Sequence, residues 1–506
     1  MAEHSEEEAR SALDLATLSR GVGVNLLALF SKLGRPAFYL LAARLYSTAS
    51  YGLYYLAWTW VNLFSRFAFF GLDKALLRQV AHHQSRGEKQ RALECVRTAL
   101  FAGGVLSLGV SLGCFVFSDT LGGLFGRERV EIALRWMAFV VFFQTVGGLL
   151  LQIPIAHKVM EYQLYVKGLT EPALLIGFAI LFYLLGMDLT GICAAYLVAT
   201  AIVFFCSILP VFRFYPWRKW SGKGHGFERN LFRFSLSMFL IDLITELNGR
   251  LDVVIVGSFI ESETIAVYGV MIQLAGIIRA VSGAFDPIAN PFFTEYHARG
   301  EISRLDEFFK LVTRWVTLVT IPILLVFALN GRQIATFVGS EFAPGYPWLL
   351  ILLLGAAATA LLGLSGYVLV MTGHPNALMG VRIVTLLISG TGTFVLVRRF
   401  GPAGAAIGAT FTAILSPALS SWWVFRRLKV HAFSIKLCKP LLAGFATAVL
   451  MMVYGPPAPS AALWNALSHA ALVFLCFGGI LFLLGIEEEE KQFGMRVYRR
   501  IRRIFV

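Results

Sequence analysis

The sequence predicts an all-α protein that crosses a lipid bilayer about fourteen times. Three observations carry that expectation. Of 506 residues, 57% are hydrophobic and only 15% charged, against about 25% charged in an ordinary soluble domain. The mean hydropathy is +0.71. The apolar residues also come in unbroken runs of about twenty or more, the length a helix needs to cross the hydrocarbon core, rather than in amphipathic stripes or strand alternation.

The spans are expected from 20 to 44, 49 to 71, 94 to 117, 132 to 154, 163 to 186, 189 to 212 and 231 to 258. They continue from 264 to 289, 311 to 330, 347 to 371, 376 to 397, 402 to 425, 439 to 455 and 464 to 485. The segment ahead of them, with Ser5-Glu6-Glu7-Glu8-Ala9-Arg10, lacks the basic start and short apolar stretch of a cleavable signal, so the first helix is expected to stay. Cys95, Cys114, Cys193, Cys206, Cys438 and Cys476 show no paired spacing, which argues against a disulfide framework or a metal site.

Orientation follows from the loop charges. With the N-terminus inside, five inward stretches (72–92, 212–233, 294–314, 426–439 and 487–506) carry 26 Lys and Arg, while the outward ones carry six: Arg44, Arg127, Arg129, Arg332, Arg398 and Arg399. Both termini are therefore expected in the cytoplasm. The net charge of +14 is accounted for by anionic lipid at that face, and no nucleic-acid partner is expected.

Polar residues repeat at an offset of 213: Arg66 falls on Arg279, Asp73 on Asp286, Arg86-Gly87-Glu88 on Arg299-Gly300-Glu301, Arg91 on Arg304 and Glu94 on Glu307. Charged residues are scarce here, so such a run of matches is costly as coincidence. The offset shifts the helices by six, an even number, which predicts two parallel six-helix halves with two C-terminal helices outside the duplication. The expected organisation is a cytoplasmic segment 1–19, an N-lobe 20–212, a basic linker 213–230, a C-lobe 231–425, two further helices within 439–485 and a basic cytoplasmic tail 486–506.

A charge at mid-membrane costs about 2.5–3.5 kcal/mol on insertion scales and turns toward a partner or a wet cavity. Lys32 and Arg35 in the first helix share a face with Asn25, and Asn62, Arg66 and Asp73 form a stripe in the second. The seventh helix places Asp242, Glu246 and Arg250 at successive spacings of four, and the eighth adds Gln273, Arg279 and Asp286. These residues suggest a largely cationic lumen suited to an anionic head group, with interhelical pairing as the competing reading, above all for Glu246 with Arg250. Lys167 and Glu171 repeat the i,i+4 pattern and read as a structural pair.

Ala43-Arg44-Leu45-Tyr46, Tyr51-Gly52-Leu53-Tyr54 and Phe70-Gly71-Leu72-Asp73-Lys74-Ala75-Leu76-Leu77-Arg78 resemble the opening of bacterial polysaccharide transporters of the O-antigen flippase type. Phe234-Ser235-Leu236-Ser237, the run from Arg250-Leu251-Asp252 to Gly257, and Tyr268 resemble the start of their second half. The chain departs from the family in reading Ser237-Met238 where proline usually follows the serine. The resemblance implies the multidrug, oligosaccharidyl-lipid and polysaccharide (MOP) exporter fold. It also implies alternating access that carries an undecaprenyl-diphosphate-linked glycan across the bacterial inner membrane, without a cofactor. It gives Lys32, Arg35, Arg66, Arg250 and Arg279 the role of binding the diphosphate or acidic sugars. Lipid-linked oligosaccharide, membrane lipids and other glycan-assembly membrane proteins are the partners it implies.

Two rivals remain on sequence grounds. An ion-coupled drug or cation antiporter of the same superfamily would use Asp242 or Glu246 as its ion site. A membrane enzyme is disfavoured, because the longest expected outward loop, 331 to 346, is short and only His469 of nine histidines lies within an expected span.

Overall fold

The computed structural model describes residues 33–124, 129–215, 229–454 and 463–485. All regular structure among them is helical. Helix α1 covers 33–45 and is followed by α2 (Thr48–Phe69), α3 (Leu72–Ser85), α4 (Lys89–Val116), α5 (Ser118–Leu124) and α6 (Val130–Ala156). Helix α7 (Glu161–Leu184) contains a π-helical turn, Leu164–Thr170. Next come α8 (Leu189–Phe214), α9 (Arg229–Phe259), α10 (Ser262–Ser282), α11 (Asp286–Ala298) and α12 (Ile302–Val338). The chain continues through α13 (Tyr346–Leu362), α14 (Leu364–Met371), α15 (Pro375–Phe400), α16 (Pro402–Leu428), α17 (Cys438–Tyr454) and α18 (Leu463–Leu483).

Eleven helical segments among the described residues are long and apolar enough to cross a membrane. The expected spans 49–71 and 231–258 are also single helices, of 22 and 31 residues. Their mean hydropathy is lowered by the tyrosines and tryptophans of α2 and the charges of α9. The first expected span, 20–44, lies partly outside the described residues. The stretch expected as an outward loop, 331–346, is helical to Val338 and closes with a 3-10 turn, Ser340–Gly345. The helix continues there because buried Ala335 and Val338 extend its apolar face past polar Arg332 and Gln333.

The described residues form two compact units, one of 34–273 and 382–412, the other of 274–381 and 413 onward together with residue 33. In the first, α6 packs on α2, α4 and α8, and α9 lies along α2 and α3. Its core sets Leu72, Leu76 and Val80 against Leu93, Val96, Leu149 and Ile153, with Ala75, Ala92 and Ala99 between them, small residues that let helix backbones approach. In the second unit α12 packs on α11, α13, α17 and α18. Its core is aromatic, with Phe293 edge-on to Phe308 and Phe309, and Trp315 alongside. Outward apolar side chains such as Phe101, Val105 and Leu112 on α4 and Leu475 and Phe482 on α18 suit a hydrocarbon solvent.

The offset of 213 recurs in backbone detail. Gly87 and Gly300 both take a left-handed φ, 74° and 72°, which glycine adopts without a Cβ penalty. Glu88 N–H donates to the His83 carbonyl at 2.9 Å, and Glu301 N–H donates to the Tyr296 carbonyl at 2.9 Å. Each glutamate then pairs with the arginine three residues on, Arg91 at 3.4 Å and Arg304 at 3.2 Å. The triplet is therefore a turn built twice, at equivalent positions.

The first copy adds one contact, His83 Nδ1 to Glu88 Oε2 at 2.7 Å. This hydrogen bond, helped by the charge of Arg91, holds the Glu88 carboxyl below its ordinary value. A lowered carboxyl contributes stability that is complete above the ordinary value and is lost as pH falls through the lowered one. Glu88→Gln should therefore lower the melting temperature at neutral pH and flatten its fall below about pH 4.5, where wild type and variant converge, as read from thermal melts across that range.

Close approach is demanded at Gly52 in α2. A Cβ there would lie 1.8 Å from the Ser262 carbonyl oxygen at the start of α10. Gly52→Ala is expected to force the two helices apart and cost about 1–3 kcal/mol, the range of an overpacked core. Gly104→Ala, which meets open space, serves as the control in a detergent melting assay.

Candidate functional site

The charged residues of the first unit form a column of linked pairs. Trp58 stands ten residues into α2, about 15 Å from its start, which is mid-depth for a hydrocarbon core of about 30 Å. Its indole N–H donates to the Tyr196 hydroxyl of α8 at 3.1 Å, Tyr39 of α1 packs on it at 5.0 Å, and the Arg250 guanidinium lies over its ring at 4.3 Å. The ring's negative face helps hold a cation away from bulk water.

Beside this cluster, Arg35 of α1 donates through Nη2 to both carboxylate oxygens of Glu171 in α7, at 2.7 and 2.9 Å. The approach depends on Gly34, whose Cβ would stand 2.6 Å from Pro172. The sequence reading paired Glu171 with Lys167, four residues earlier. A π-helical turn through Leu164–Thr170 changes the spacing, and Glu171 reaches α1 instead. Lys167 has no hydrogen bond or ion pair among the described residues. Its ammonium lies 3.7 Å from where a Cβ on Gly148 of α6 would sit.

Deeper along α2, Arg66 donates through Nε to Glu246 Oε2 of α9 at 3.0 Å, and Arg250 donates through its own Nε to Glu246 Oε1. One carboxylate thus serves two guanidiniums and ties α2 to α9. Lys74 of α3 pairs with Asp242 at the next turn of α9. Asp73, in the first turn of α3, keeps a buried Oδ1 without a hydrogen bond, and burial holds its carboxyl above the usual carboxylate range. At this end Ser235 donates its hydroxyl to the Phe70 carbonyl, and a Cβ on Gly71 would lie 2.3 Å from the Ser235 carbonyl oxygen. The motif residues of α2 and α9 therefore meet directly.

The structure thus brings together Arg35, Arg66, Asp242, Glu246 and Arg250, and adds Glu171, Lys167, Trp58 and Lys74. Lys32 lies outside the described residues. Arg279 belongs to the second unit and is itself engaged in an interaction. In the interior layers Arg35, Arg66, Lys167 and Arg250 face three carboxylates, Asp73, Glu171 and Glu246, among the described residues.

A second polar feature lies between α9, α15 and α16. A small cavity there is lined by Asn248, Asp252, Ser389, Thr393 and Thr412. The Asn248 amide donates to the Ile244 and Arg382 carbonyls, each at 3.0 Å, which leaves its Oδ1 without a partner. Ser389 Oγ is likewise unpartnered. Asp252 accepts from the Tyr268 hydroxyl at 2.6 Å, joining the two motif positions of the second half. Neutral oxygens around one carboxylate suit a hard cation better than a soft transition metal.

The described residues thus form a helical membrane fold with charged side chains in its interior. The chain matches the family model described as polysaccharide biosynthesis protein over residues 41–346. It belongs to that family. It is similar to the teichuronic acid biosynthesis protein TuaB of Bacillus subtilis (strain 168), 20% identical over 226 residues, which are 44% of this chain and 46% of the relative; the match thus spans under half of TuaB's length. Among solved structures it resembles the lipid II flippase MurJ in an inward closed conformation, with TM-score 0.70 and 13% identity over 90% of this chain and 98% of that one. It also resembles an inward-facing multidrug resistance MATE family transporter of the MOP superfamily, with TM-score 0.66 and 15% identity over 79% and 94%. These two likenesses establish the fold.

Glu246→Gln leaves two guanidiniums without their carboxylate. Because Arg66 is 38% exposed, the expected loss is about 2 kcal/mol rather than the full 3–5 of a buried pair. Asp242→Asn, opposite the half-exposed Lys74, should cost less than about 1 kcal/mol. Melting temperatures of the purified variants compare the two.

Proposed function

We propose that this chain is a flippase that moves an undecaprenyl-diphosphate-linked glycan across the bacterial inner membrane by alternating access. One observation carries the reading: four interior cations face three carboxylates, and Lys167 has no direct ion-pair contact among the described residues. A diphosphate supplies the missing negative charge, and guanidiniums bind it with forked donors. Membership of a polysaccharide biosynthesis family and the MurJ-like fold support a lipid-linked glycan as cargo.

In this reading Lys32, Arg35, Arg66, Arg250 and Arg279, joined by Lys167, bind the head group. The lobes are 20–212 and 231–425, and both termini lie in the cytoplasm. A coupling cation is better served by the Asn248, Asp252, Ser389, Thr393 and Thr412 cavity than by Asp242 and Glu246, which already hold Lys74, Arg66 and Arg250. The chain carries its cargo without covalent chemistry, and membrane lipids and glycan-assembly proteins are its surroundings.

Reconstitution in liposomes with undecaprenyl-diphosphate oligosaccharides tests the proposal by leaflet exchange. Exchange by the wild type and about a tenfold lower rate for Lys167→Ala, at equal protein per vesicle, is the expected result. Export of small cationic drugs with no glycan exchange would overturn it in favour of the antiporter.

A further inference from the structure

The second unit carries a groove of about 400 Å³ lined by Leu362, Ala418, Ser421, Trp422, Phe425, His431 and Phe433. We propose that this groove binds one anionic glycerophospholipid, its acyl chain along the α16 face and its phosphate at Arg426, Lys429 and His431. The site is separate from the charged column and does not depend on the transported cargo.

Four observations point to that occupant. The groove's side chains are apolar or aromatic, apart from Ser421 and His431, as an acyl chain requires. It lies at the end of α16, one of the membrane-crossing helices, where Arg426, Arg427 and Lys429 follow the apolar run. Such an aromatic and basic boundary is where headgroups lie. Two of the groove's three exposed rings carry a cation: Arg426 over Trp422 at 5.3 Å and Lys429 over Phe425 at 5.6 Å. Arg426, Arg427 and Lys429 have no carboxylate partner among the described residues, so their charge is available to a phosphate. Finally, His431 Nδ1 is buried in the groove wall without a hydrogen-bond partner. The ring is fixed in place because the His431 backbone N–H donates to Asp306 at 2.9 Å and the ring packs against Phe425.

The turn that follows α16 fits this role. Lys429 takes a left-handed φ of 60°, which ends the helix and brings His431 and Phe433 back over its last turns. A lysine pays a steric cost for that conformation.

Native mass spectrometry of the full chain, purified and delipidated, with added phosphatidylglycerol or phosphatidylcholine, tests the proposal. The wild type should retain one phosphatidylglycerol at least tenfold more than phosphatidylcholine, and inorganic phosphate should not compete. Arg426→Gln with Lys429→Gln should lose that preference. Ser421→Trp, which fills the groove but keeps the charges, should lose the lipid itself. Equal retention by both variants, or no preference for the anionic lipid in the wild type, overturns the site. A photoreactive side chain at position 421 that crosslinks to polypeptide rather than lipid would hand the groove to a protein segment and also overturn it. Because the two variants change different properties, misfolding of one leaves the other decisive, and size-exclusion profiles identify which is folded.

Discussion

A carboxylate that must satisfy two guanidiniums inside an apolar medium constrains everything around it. Glu246 holds Arg66 and Arg250 at once, so α2 and α9 must run side by side at that depth, and Gly71 must be small enough to let Ser235 reach Phe70 below it. Trp58 and Tyr196 then cover the outer guanidinium. In water such pairs would contribute little. In hydrocarbon the unpaired alternative is expensive, and the helices are held in register by that expense rather than by apolar contact, which lipid supplies equally well.

The fold was legible in the sequence because lipid leaves so few ways to arrange a backbone. Runs of apolar residues gave the helices, and the 213 offset marked the turns at Gly87 and Gly300, whose hydrogen bonds match in both copies. The candidate site was legible only where its spacing was helical. Asp242, Glu246 and Arg250 sit four apart on one α-helix, and the pairing of Glu246 with Arg250 follows from that. Glu171 was misassigned because a π-turn precedes it, and nothing in Leu164–Thr170 announces a wide turn. Its partner Arg35 is 136 residues away, a distance no local periodicity reaches. Lys167 was discounted for the same reason: once Glu171 turns to α1, it hydrogen-bonds Arg35 and acts on the lysine only at a distance.

The two copies of the repeat have diverged in instructive ways. At equivalent positions the first copy has His83 against its turn glutamate and the second has Tyr296, which packs instead into the aromatic core with Phe292 and Phe308. The turn geometry survives because it depends on the backbone of glycine and glutamate, while the side chain beneath it is free to serve either charge or packing.

The imbalance of four cations against three carboxylates also has an electrical side. In the proposed reading a ligand with two negative charges turns the column's single positive surplus into a single negative one, so the loaded and empty carriers feel the membrane field in opposite directions. The empty carrier keeps its surplus. A field acts on that surplus with up to about 2.3 kcal/mol per charge per 100 mV, and a potential negative on the cytoplasmic side draws it back toward the face where cargo is made. The unpaired lysine would then be both a binding group and the charge through which membrane voltage resets the cycle.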